Sequence, residues 1–541
     1  MPPSSRSQPA APKQPELHVK ILLELRPALD GHSGIPQETR LLFRGLGQLE
    51  STQVDGLIQS SNRVLARGLP PTESSGRWVE DRRVDRLSRV VVSIIGSGAR
   101  TRFPRASVLA PTLRMLLTSA MGRMQTLTHF EGARFADFIW RALFAKTLSP
   151  DDFDRVTTAH FRVAQVPWSA AHAAALFTRK LGRAVYPRLD TAGYDVMIAE
   201  TPYPGRVGSK TRLVVRYHDA IPLLMPHTIS DRARHQASHF QALRRNVLDG
   251  AWFACVSEAS RRDLISVFPE AEARAITIPN MVSHHYFRED SSPVRVRDVV
   301  RLCQHATLRR SSTTSQQDAA PNLRQGQTRY AEGEASNSTA LSRRAGGTGL
   351  ARLQPPKPLD FILMVSTIEP RKNHLGLLAA WERLRATAHP NLQLVLVGML
   401  GWEHEAIVHR LRPWVERGLV HVLDDVRAAD LRLLYRHARV TACPSFGEGF
   451  GFSGVEAMCC GGAVAASDLP VHREIYGEAA EYFNPYSVDD TVEALSRILD
   501  DRSGGRRQQL ERLGATVSRQ YLPANVLPKW KAFLDALARD A

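Results

Sequence analysis

The sequence predicts an α/β protein made of two doubly wound domains, and three observations support this fold class. The chain has 541 residues, which is enough for two large domains and too many for one core. Apolar runs typical of buried strands alternate with helical patterns near 18–48, from 194 to 278 and again from 359. A polar stretch separates the two series, so each series predicts its own parallel sheet with helices on both faces.

The first series begins with the buried-strand pattern HVKILLEL at 18–25, a glycine-bearing turn and a helical pattern at 38–49. Residues 70–190 are rich in arginine and mostly helical in pattern. The later predicted elements are the strands at 194–200 and 211–219, a helix at about 231–248, the strand WFACVS at 252–257, the helix EASRRDLISVF at 258–268 and the short strand AITIP at 275–279.

Residues 293–356 contain ten arginines, four acidic residues and few apolar anchors. This composition predicts a disordered basic linker or an inserted loop. The positive charge suggests an electrostatic tether, and a solvated insertion is the alternative.

The second series alternates regularly from DFILMVST at 360–367 to AVAAS at 463–467, and helical patterns alone follow from 488. The predicted boundaries are a disordered tail at 1–15, a Rossmann-like domain at 16–292, the linker at 293–356, a second such domain at 357–521 and a helix at 522–541 that packs back on the first domain. In this arrangement two sheets face each other across a cleft.

Composition narrows the class of protein and its compartment. The chain is 43% hydrophobic and 23% charged, as in globular proteins, and its net charge of +17 favours polyanionic partners. Five cysteines without a C-x-x-C pair argue against a disulfide framework and against a zinc site. The amino terminus lacks the apolar core of a secretory signal, and no apolar run is long enough to span a membrane. We therefore expect a cytoplasmic protein.

A glycine-rich loop follows the predicted strand VTACPS. It reads SFGEGFGFSGVEAM and contains two carboxylates, Glu448 and Glu456, eight positions apart. Glycines let a backbone approach a ligand, and a helix start suits a phosphate. The loop residues in question are Gly447, Gly449, Gly451, Phe452 and Ser453. In the functional interpretation Glu448 faces a substrate and Glu456 accepts hydrogen bonds from a ribose. In the alternative Glu448 is an ordinary loop acid and Glu456 interacts with the helix dipole.

Two further groups end predicted strands. Arg371 and Lys372 follow DFILMVST and could hold a diphosphate, unless they form a solvated turn. His218 and Asp219 directly follow TRLVVRY. At this position the imidazole could contact a sugar hydroxyl, and a purely structural role is the alternative.

These segments together resemble a known family. E-G-F-G followed by V-E-A-M-C-C-G-G (448–462) resembles the E-x7-E signature of the retaining glycosyltransferases of family 4, which have the two-domain GT-B fold. T-I-E-P-R-K-N-H (367–374), the His218-Asp219 pair and S-E-A-S-R-R-D-L (257–264) are similar to other segments of that family. The resemblance is weak over 70–190 and absent over 293–356.

The resemblance implies that 16–292 is the acceptor-side domain and 357–521 the nucleotide-sugar-binding domain, and it implies a role for each matching residue. Glu448 and His218 would contact the donor sugar, and Glu456 the nucleoside ribose. Lys372, with Arg371, would hold the diphosphate, and Gly34 in G-H-S-G-I-P would lie by the transferred group. Ser366 and Thr367 stand where many relatives carry Gly-Arg, so Arg371 would replace a missing cation.

The resemblance also implies partners. It favours a metal-independent hexosyltransferase without a cofactor that moves mannose or rhamnose from a GDP-sugar to a saccharide or a polyprenyl-diphosphate-linked acceptor in lipopolysaccharide or O-antigen synthesis. Such an enzyme would work at the inner face of the cytoplasmic membrane. Residues 107–124 place Leu113, Leu116, Leu117, Ala120, Met121 and Met124 on one helical stripe near Arg114 and Arg123, a pattern typical of a helix in an anionic interface. A buried amphipathic helix is the alternative.

Three rival interpretations use other features. Asp152-Phe153-Asp154 matches the D-x-D of metal-dependent transferases, but its position after Ser149-Pro150 favours a helix cap. A sugar phosphorylase or an epimerase would share the fold, although no pyridoxal-bearing lysine is identified. The charge alone would suit a nucleic-acid-binding protein, but no aromatic-interleaved basic motif supports specific binding of nucleic acid.

Overall fold

The computed structural model describes residues 18–31, 34–70, 79–97, 104–314, 357–500 and 505–539. In this part of the chain the strands form two sheets, one of eight strands and one of six. Helices cover the sheets, and the prediction of two α/β domains is confirmed.

The first sheet has the strand order β3-β4-β2-β1-β5-β6-β7-β8, and its neighbouring strands are parallel except for the antiparallel pair β3 and β4. Its strands are β1 (Val19–Glu24), β2 (Thr52–Gln59), β3 (Thr128–Glu131), β4 (His160–Ala164), β5 (Val196–Ala199), β6 (Arg212–Tyr217), β7 (Trp252–Cys255) and β8 (Ala275–Thr277).

The second sheet has the order β11-β10-β9-β12-β13-β14 and is parallel throughout. Its strands are β9 (Phe361–Val365), β10 (Gln393–Val397), β11 (Val420–Leu423), β12 (Val440–Cys443), β13 (Val464–Ser467) and β14 (Ala480–Phe483). Strands β9, β10, β12 and β13 are almost fully buried, which explains their uninterrupted apolar sequences.

The helices of the first domain are α1 (Arg26–Asp30), α2 (Ile35–Leu46), α3 (Glu80–Ser97), α4 (Pro104–Ala120), α5 (Ala136–Ile139), α6 (Phe153–Thr157), α7 (Trp168–Arg179), α8 (Ile221–Leu224), α9 (Arg232–Leu248) and α10 (Glu258–Val267). Those that follow are α11 (Arg295–Thr314), α12 (His374–Thr387), α13 (Glu405–Glu416), α14 (Ala428–His437), α15 (Phe452–Cys459), α16 (Pro470–Tyr476), α17 (Val488–Leu499), α18 (Gly505–Arg519) and α19 (Pro523–Arg539). Asn373 caps α12 by accepting a hydrogen bond from the Gly376 amide at 3.1 Å.

The stretch with the weakest sequence pattern, 70–190, contains two strands besides its helices. Strands β3 (THFE) and β4 (HFRVA) are short, carry charged or polar side chains and form one edge of the sheet. Their pairing depends on contacts with β2 and with each other, which are distant in sequence. A local pattern therefore could not predict them.

The prediction of a disordered linker at 293–356 is wrong for its first part. Helix α11 begins at Arg295, and Val296, Val299 and Val300 are buried in the core of the second domain. These valines repeat at helical spacing among arginines, so a composition average concealed an amphipathic helix. The remainder of that prediction, 315–356, lies outside the described residues, as does the predicted tail at 1–15.

Helix α19 follows the second domain in sequence but packs on the first. Val526, Trp530, Leu534 and Leu537 belong to the same buried cluster as strand β1 and helix α2. The chain therefore crosses back after the second domain to complete the core of the first.

Candidate active site

The carboxyl ends of the two sheets face each other across a cleft of about 640 Å³. Parallel strands end at the same edge of a sheet, and ligands of such folds bind beyond that edge. The ten site residues predicted from the sequence all line this cleft: Gly34, His218, Arg371, Lys372, Glu448, Gly449, Gly451, Phe452, Ser453 and Glu456.

Glu448 lies between two cations in the loop after β12. Its carboxylate accepts hydrogen bonds from Lys372 Nζ at 2.5 Å, Arg371 Nη1 at 3.2 Å and Ser445 Oγ at 2.6 Å. Burial opposes ionisation, but Lys372 and Arg371 outweigh it and hold the pKa of Glu448 well below its usual range. The carboxylate is therefore charged at neutral pH.

Arg371 is held rigidly by the loop that it faces. It donates to Glu369 at 2.8 Å and to the Gly447 carbonyl at 2.7 Å, besides its contact with Glu448. Although burial alone disfavours its charge, Glu448 and then Glu369 raise the pKa of Arg371 above its usual value. Two cations and two carboxylates thus form a charge-balanced cluster at the cleft wall, and neither cation is an isolated charge.

Glu456 lies in the first turns of α15 and is almost fully buried. Its two oxygens accept hydrogen bonds from Tyr435 Oη and Gln37 Nε2, both at 2.9 Å. Burial raises its pKa, while these two bonds oppose the rise. Because Gln37 belongs to helix α2 of the first domain, this bond joins the two domains across the cleft.

His218 follows strand β6 directly, where its ring faces the cleft. Its Nε2 lies 3.5 Å from a carboxylate oxygen of Glu200, which follows β5. Burial, and then the neighbouring Arg216, lowers the pKa of His218 to about 4. The imidazole is therefore neutral at pH 7 and can both donate and accept a hydrogen bond.

Arg216 fixes the strand that presents His218. It is fully buried and donates to Glu38 at 2.9 Å, to Asn280 at 2.8 Å and to the Ile278 carbonyl at 2.6 Å. A buried guanidinium with this set of partners ties β6 to α2 and to the segment after β8. The position of His218 thus follows from a buried ion pair rather than from a flexible loop.

At Gly449 the loop of the second domain lies directly against the backbone that follows β6. A Cβ at this position would lie 1.9 Å from the carbonyl oxygen of His218. Its own carbonyl accepts a hydrogen bond from Ser257 Oγ at 2.8 Å. The glycine is needed here because backbone meets backbone, a reason that the sequence pattern alone did not reveal.

The start of α15 turns at Gly451, whose φ is +85°. The Gly451 carbonyl accepts a hydrogen bond from Tyr476 Oη at 2.6 Å. Phe452 and Ser453 open the helix, and Ser453 Oγ lies 3.6 Å from Cys443 Sγ. The loop therefore directs the amide end of a helix toward the cleft.

Gly34 immediately precedes α2 with a φ of +71°. A Cβ there would have open space around it, so the backbone angle and not crowding favours glycine. His32 and Ser33 of the G-H-S-G segment lie outside the described residues.

Five residues that build the site escaped sequence reasoning: Gln37, Glu200, Glu369, Tyr435 and Ser445. Glu200 and Glu369 follow strands that the sequence does predict, so the position after a strand was an available signal. Gln37 and Tyr435 are ordinary helix residues whose role depends on the approach of separate elements.

The D-x-D segment lies outside the cleft lining. Ser149 accepts a hydrogen bond from the Asp151 amide, and Asp152 pairs with Arg44 at 2.9 Å. Across the described residues there is no group of three or more His, Cys, Asp or Glu side chains that could hold a metal ion.

Comparisons with known proteins show what the chain is similar to. Residues 351–516 match the family described as glycosyl transferases group 1, and these residues include the whole charge-balanced cluster and Glu456. The sucrose-phosphate synthase of Thermosynechococcus elongatus has a TM-score of 0.55 and 14% identity, covering 97% of this chain and 100% of that one. The protein therefore has the GT-B fold, and residues 351–516 are similar to glycosyl transferases group 1.

Two curated relatives match over shorter segments. The O-antigen chain mannosyltransferase B of Escherichia coli is 35% identical over 143 residues, which are 26% of this chain and 38% of that protein. The serotype-specific mannosyltransferase WbdA of Escherichia coli is 31% identical over 169 residues, 30% of this chain and 20% of that protein. The matched segments thus cover well under half of either relative.

Proposed function

We propose that this protein is a retaining, metal-independent glycosyltransferase that moves a hexosyl group from a GDP-sugar to a saccharide or lipid-linked saccharide acceptor. The observation that carries the proposal is the cleft arrangement: Glu448 with Arg371 and Lys372 on one wall, Glu456 deeper on the same wall, and the neutral His218 opposite. The names of the two curated relatives favour mannose as the transferred sugar and O-antigen synthesis as the pathway. Rhamnose is the second donor sugar to test.

The electrostatic demand of the reaction falls on the leaving group. Negative charge grows on the diphosphate as the bond to the sugar breaks, while the sugar gains oxocarbenium character. Lys372 and Arg371 supply positive charge, and the start of α15 supplies amide groups. Since both cations already pair with Glu448, the donor diphosphate would share them with that carboxylate.

Retention follows from attack on the face that the diphosphate leaves. The bond between sugar C1 and the diphosphate oxygen breaks, the bond between C1 and the acceptor oxygen forms, and the acceptor proton passes to the departing phosphate. Glu448 and His218 orient the donor sugar, and the carboxylate of Glu456 exchanges its bond to Gln37 for a ribose hydroxyl.

A donor screen tests this proposal. The purified full chain is incubated with GDP-mannose, GDP-rhamnose and UDP-glucose together with octyl α-mannoside, and nucleotide release and the anomeric configuration of the product are measured by NMR. We expect GDP release with a product of retained configuration in the presence of EDTA. An inverted product, a strict metal requirement or the absence of turnover with every donor would contradict the proposal.

We further propose that the enzyme attaches peripherally to the inner face of the cytoplasmic membrane. None of the described helices is both long enough and apolar enough to cross a bilayer. Helix α4 nevertheless exposes an apolar stripe at four-residue spacing: Leu109 is 60% exposed, Leu113 57%, Leu117 65% and Met121 59%. The opposite side of α4 packs on α7 through Met115, so the stripe is not part of the core.

The charge around the stripe suits anionic lipid. Helix α7, on which α4 packs, and the turn after it expose Phe177 and Leu181. Residues 104–124 and 168–185 contain no acidic residue. Exposed cations of these segments are Arg114, Arg123, Arg179, Lys180 and Arg183. An apolar stripe flanked by cations binds an anionic interface, at about 1 kcal/mol per nearby cation.

Flotation with vesicles containing phosphatidylglycerol tests the attachment. We expect wild-type protein to float at low salt, and a variant carrying Leu113→Glu and Leu117→Glu to remain at the bottom of the gradient. Leu248→Glu, an exposed apolar position on α9, is the control and should float. Equal flotation of all three proteins, or no flotation of the wild type at low salt, would contradict the proposed membrane attachment.

A further inference from the structure

The cleft wall formed by the first domain contains polar atoms that no described residue satisfies. Tyr217 Oη and His239 Nε2 are buried and have no hydrogen-bond partner among the described residues. Both residues line the cleft, and their rings lie 6.3 Å apart between centroids. A buried polar group without a partner costs free energy, so such a pair in a cleft is suited to hydrogen bonds with a polar ligand.

The opposite wall of the same region presents an aromatic surface. His235 lies one helical turn before His239 on α9, and its ring faces Trp402 edge to face at 6.5 Å. Trp402 follows β10 in the second domain and is 37% exposed. The two domains thus form a slot with polar atoms of the first domain on one side and the Trp402 indole of the second on the other.

The slot carries little positive charge. Burial, and then the nearby His235, lowers the pKa of His239 to about 3, and burial also lowers the pKa of His235. Both imidazoles are therefore neutral at pH 7. Neutral donors and acceptors suit hydroxyl groups, whereas a phosphate would need cations.

The slot also has an apolar border. Ile221 and Ile229 line the same part of the cleft and are nearly buried. A hexose ring has one face of C–H groups and an edge of hydroxyls, and it matches an indole face opposite polar atoms. Because Tyr217 is adjacent in sequence to His218, this slot begins beside the proposed position of the donor sugar.

We propose that Tyr217, His235, His239 and Trp402 form the acceptor subsite and that it takes an uncharged hexose unit, stacked on Trp402 and hydrogen-bonded to Tyr217 and His239. The inference rests on the proposed function and deepens it, since it names the chemical class of the acceptor group next to the donor. None of these four residues was predicted from the sequence.

Saccharide binding, measured apart from turnover, tests the subsite. Saturation-transfer NMR is recorded on the full chain with GDP present, using methyl α-mannoside, methyl α-rhamnoside, methyl α-N-acetylglucosaminide and, as an anionic comparator, mannose 6-phosphate. We expect at least one neutral glycoside to bind and mannose 6-phosphate to bind more weakly. Preferred binding of the phosphate, or of no glycoside by protein that binds GDP, would overturn the proposal.

Variants then locate the binding. Trp402→Ala and Tyr217→Phe should weaken glycoside binding about tenfold or more, whereas calorimetric affinity for GDP stays at the wild-type value. Trp402→Phe should restore part of the binding, and Trp414→Phe, a tryptophan on helix α13 outside the cleft lining, is the control. Trp402 is partly exposed, so its variants test the subsite even if Tyr217→Phe fails to fold. Wild-type glycoside binding by Trp402→Ala would refute the subsite. Glycoside binding that depends on Trp402 in a protein without transferase activity would leave the subsite standing and refute only the proposed function.

Discussion

Glu448 and Lys372 lie 2.5 Å apart in the cleft wall, and both side chains are about 15% exposed. A carboxylate in this position has two effects. It would orient a donor sugar, and it also neutralises two neighbouring cations that burial would otherwise penalise. Substitution of Glu448 therefore affects stability as well as catalysis.

Glu448→Gln keeps the shape of the side chain and removes its charge. We expect transfer to fall by about a hundredfold or more, in line with the loss of a group that acts on the reacting centre. Because Lys372 loses its counterion and Arg371 loses one of its two, the free energy of unfolding should also fall by about 1–3 kcal/mol. Steady-state rates and urea unfolding measure the two effects.

Glu416→Gln, an exposed position on α13, is the matched control and should leave both quantities unchanged. A folded Glu448→Gln variant with the wild-type rate would show that the carboxylate takes no part in transfer.

Glu200 predicts a pH dependence of stability. Burial raises its pKa to about 8 against an ordinary value of 4.5, while Arg216 opposes the rise. The folded state therefore holds a proton that the unfolded state releases, so the stabilisation is complete below pH 4.5 and is lost as pH rises to about 8.

Glu200→Gln removes this titration. Over that pH window the free energy of unfolding of the wild type should fall relative to the variant by up to about 1.4 kcal/mol per pH unit. Urea unfolding at a series of pH values measures the difference. Parallel curves for the two proteins would mean that Glu200 is ionised in the folded state.

At the scale of elements, the loop after β12 determines how closely the domains approach. Gly449→Ala places a methyl group 1.9 Å from the His218 carbonyl oxygen, so the loop and β6 must separate. We expect transfer to fall by about tenfold or more, because a shift of the reacting groups by about 1 Å is costly. GDP binding should change less, since the residues proposed to contact the nucleotide belong mainly to the second domain.

Gly447→Ala is the matched control in the same loop. Its new Cβ would meet the Met225 sulfur at 2.7 Å, and that flexible side chain can move away. Transfer rates and GDP calorimetry are compared for the two variants. Equal losses of transfer rate in both variants would mean that the loop tolerates no added volume at either glycine. That result would contradict a specific role for Gly449.

The sequence predicted elements well where one strand is buried on both faces. Strands β1, β9, β10 and β12 are predominantly apolar and mostly buried, and the residues after β6, β9 and β12 were assigned to a cleft because parallel strands end together. Strands β2, β3 and β4 were missed since their side chains are mixed and their partners are distant.

The candidate site was also predictable only where its residues stand in a distinctive local sequence pattern. Residues in a distinctive local pattern, such as Glu448 and Lys372, were found. Gln37, Tyr435 and Trp402 were not, because each acts through an approach between separate elements. Arg371 was predicted as a diphosphate cation, and its two carboxylate partners could not be inferred from spacing alone.

At the scale of the whole molecule, helix α19 joins the two domains. Trp530 is fully buried in the core of the first domain, and the Arg216 guanidinium lies 5.3 Å from its ring centroid. Trp530→Ala should lower the free energy of unfolding by about 3–5 kcal/mol. The loss should also disturb the buried ion pair that positions His218, so transfer should fall as well.

Lys529→Ala, an exposed neighbour on the same helix, is the control for this variant. Thermal unfolding and transfer rates are measured on both proteins. If Trp530→Ala unfolded like the control, the helix would contribute little to the first domain.

The return of α19 to the first domain also fixes an order of events during synthesis. Strand β1 leaves the ribosome about five hundred residues before Trp530 does, and the buried cluster that they share is incomplete until α19 is made. The second sheet, between 361 and 483, has all its strands available earlier. Domains of nascent chains ordinarily complete themselves in order from the amino terminus. In this protein the first domain is completed only after the second, because part of its core is supplied by residues 523–539.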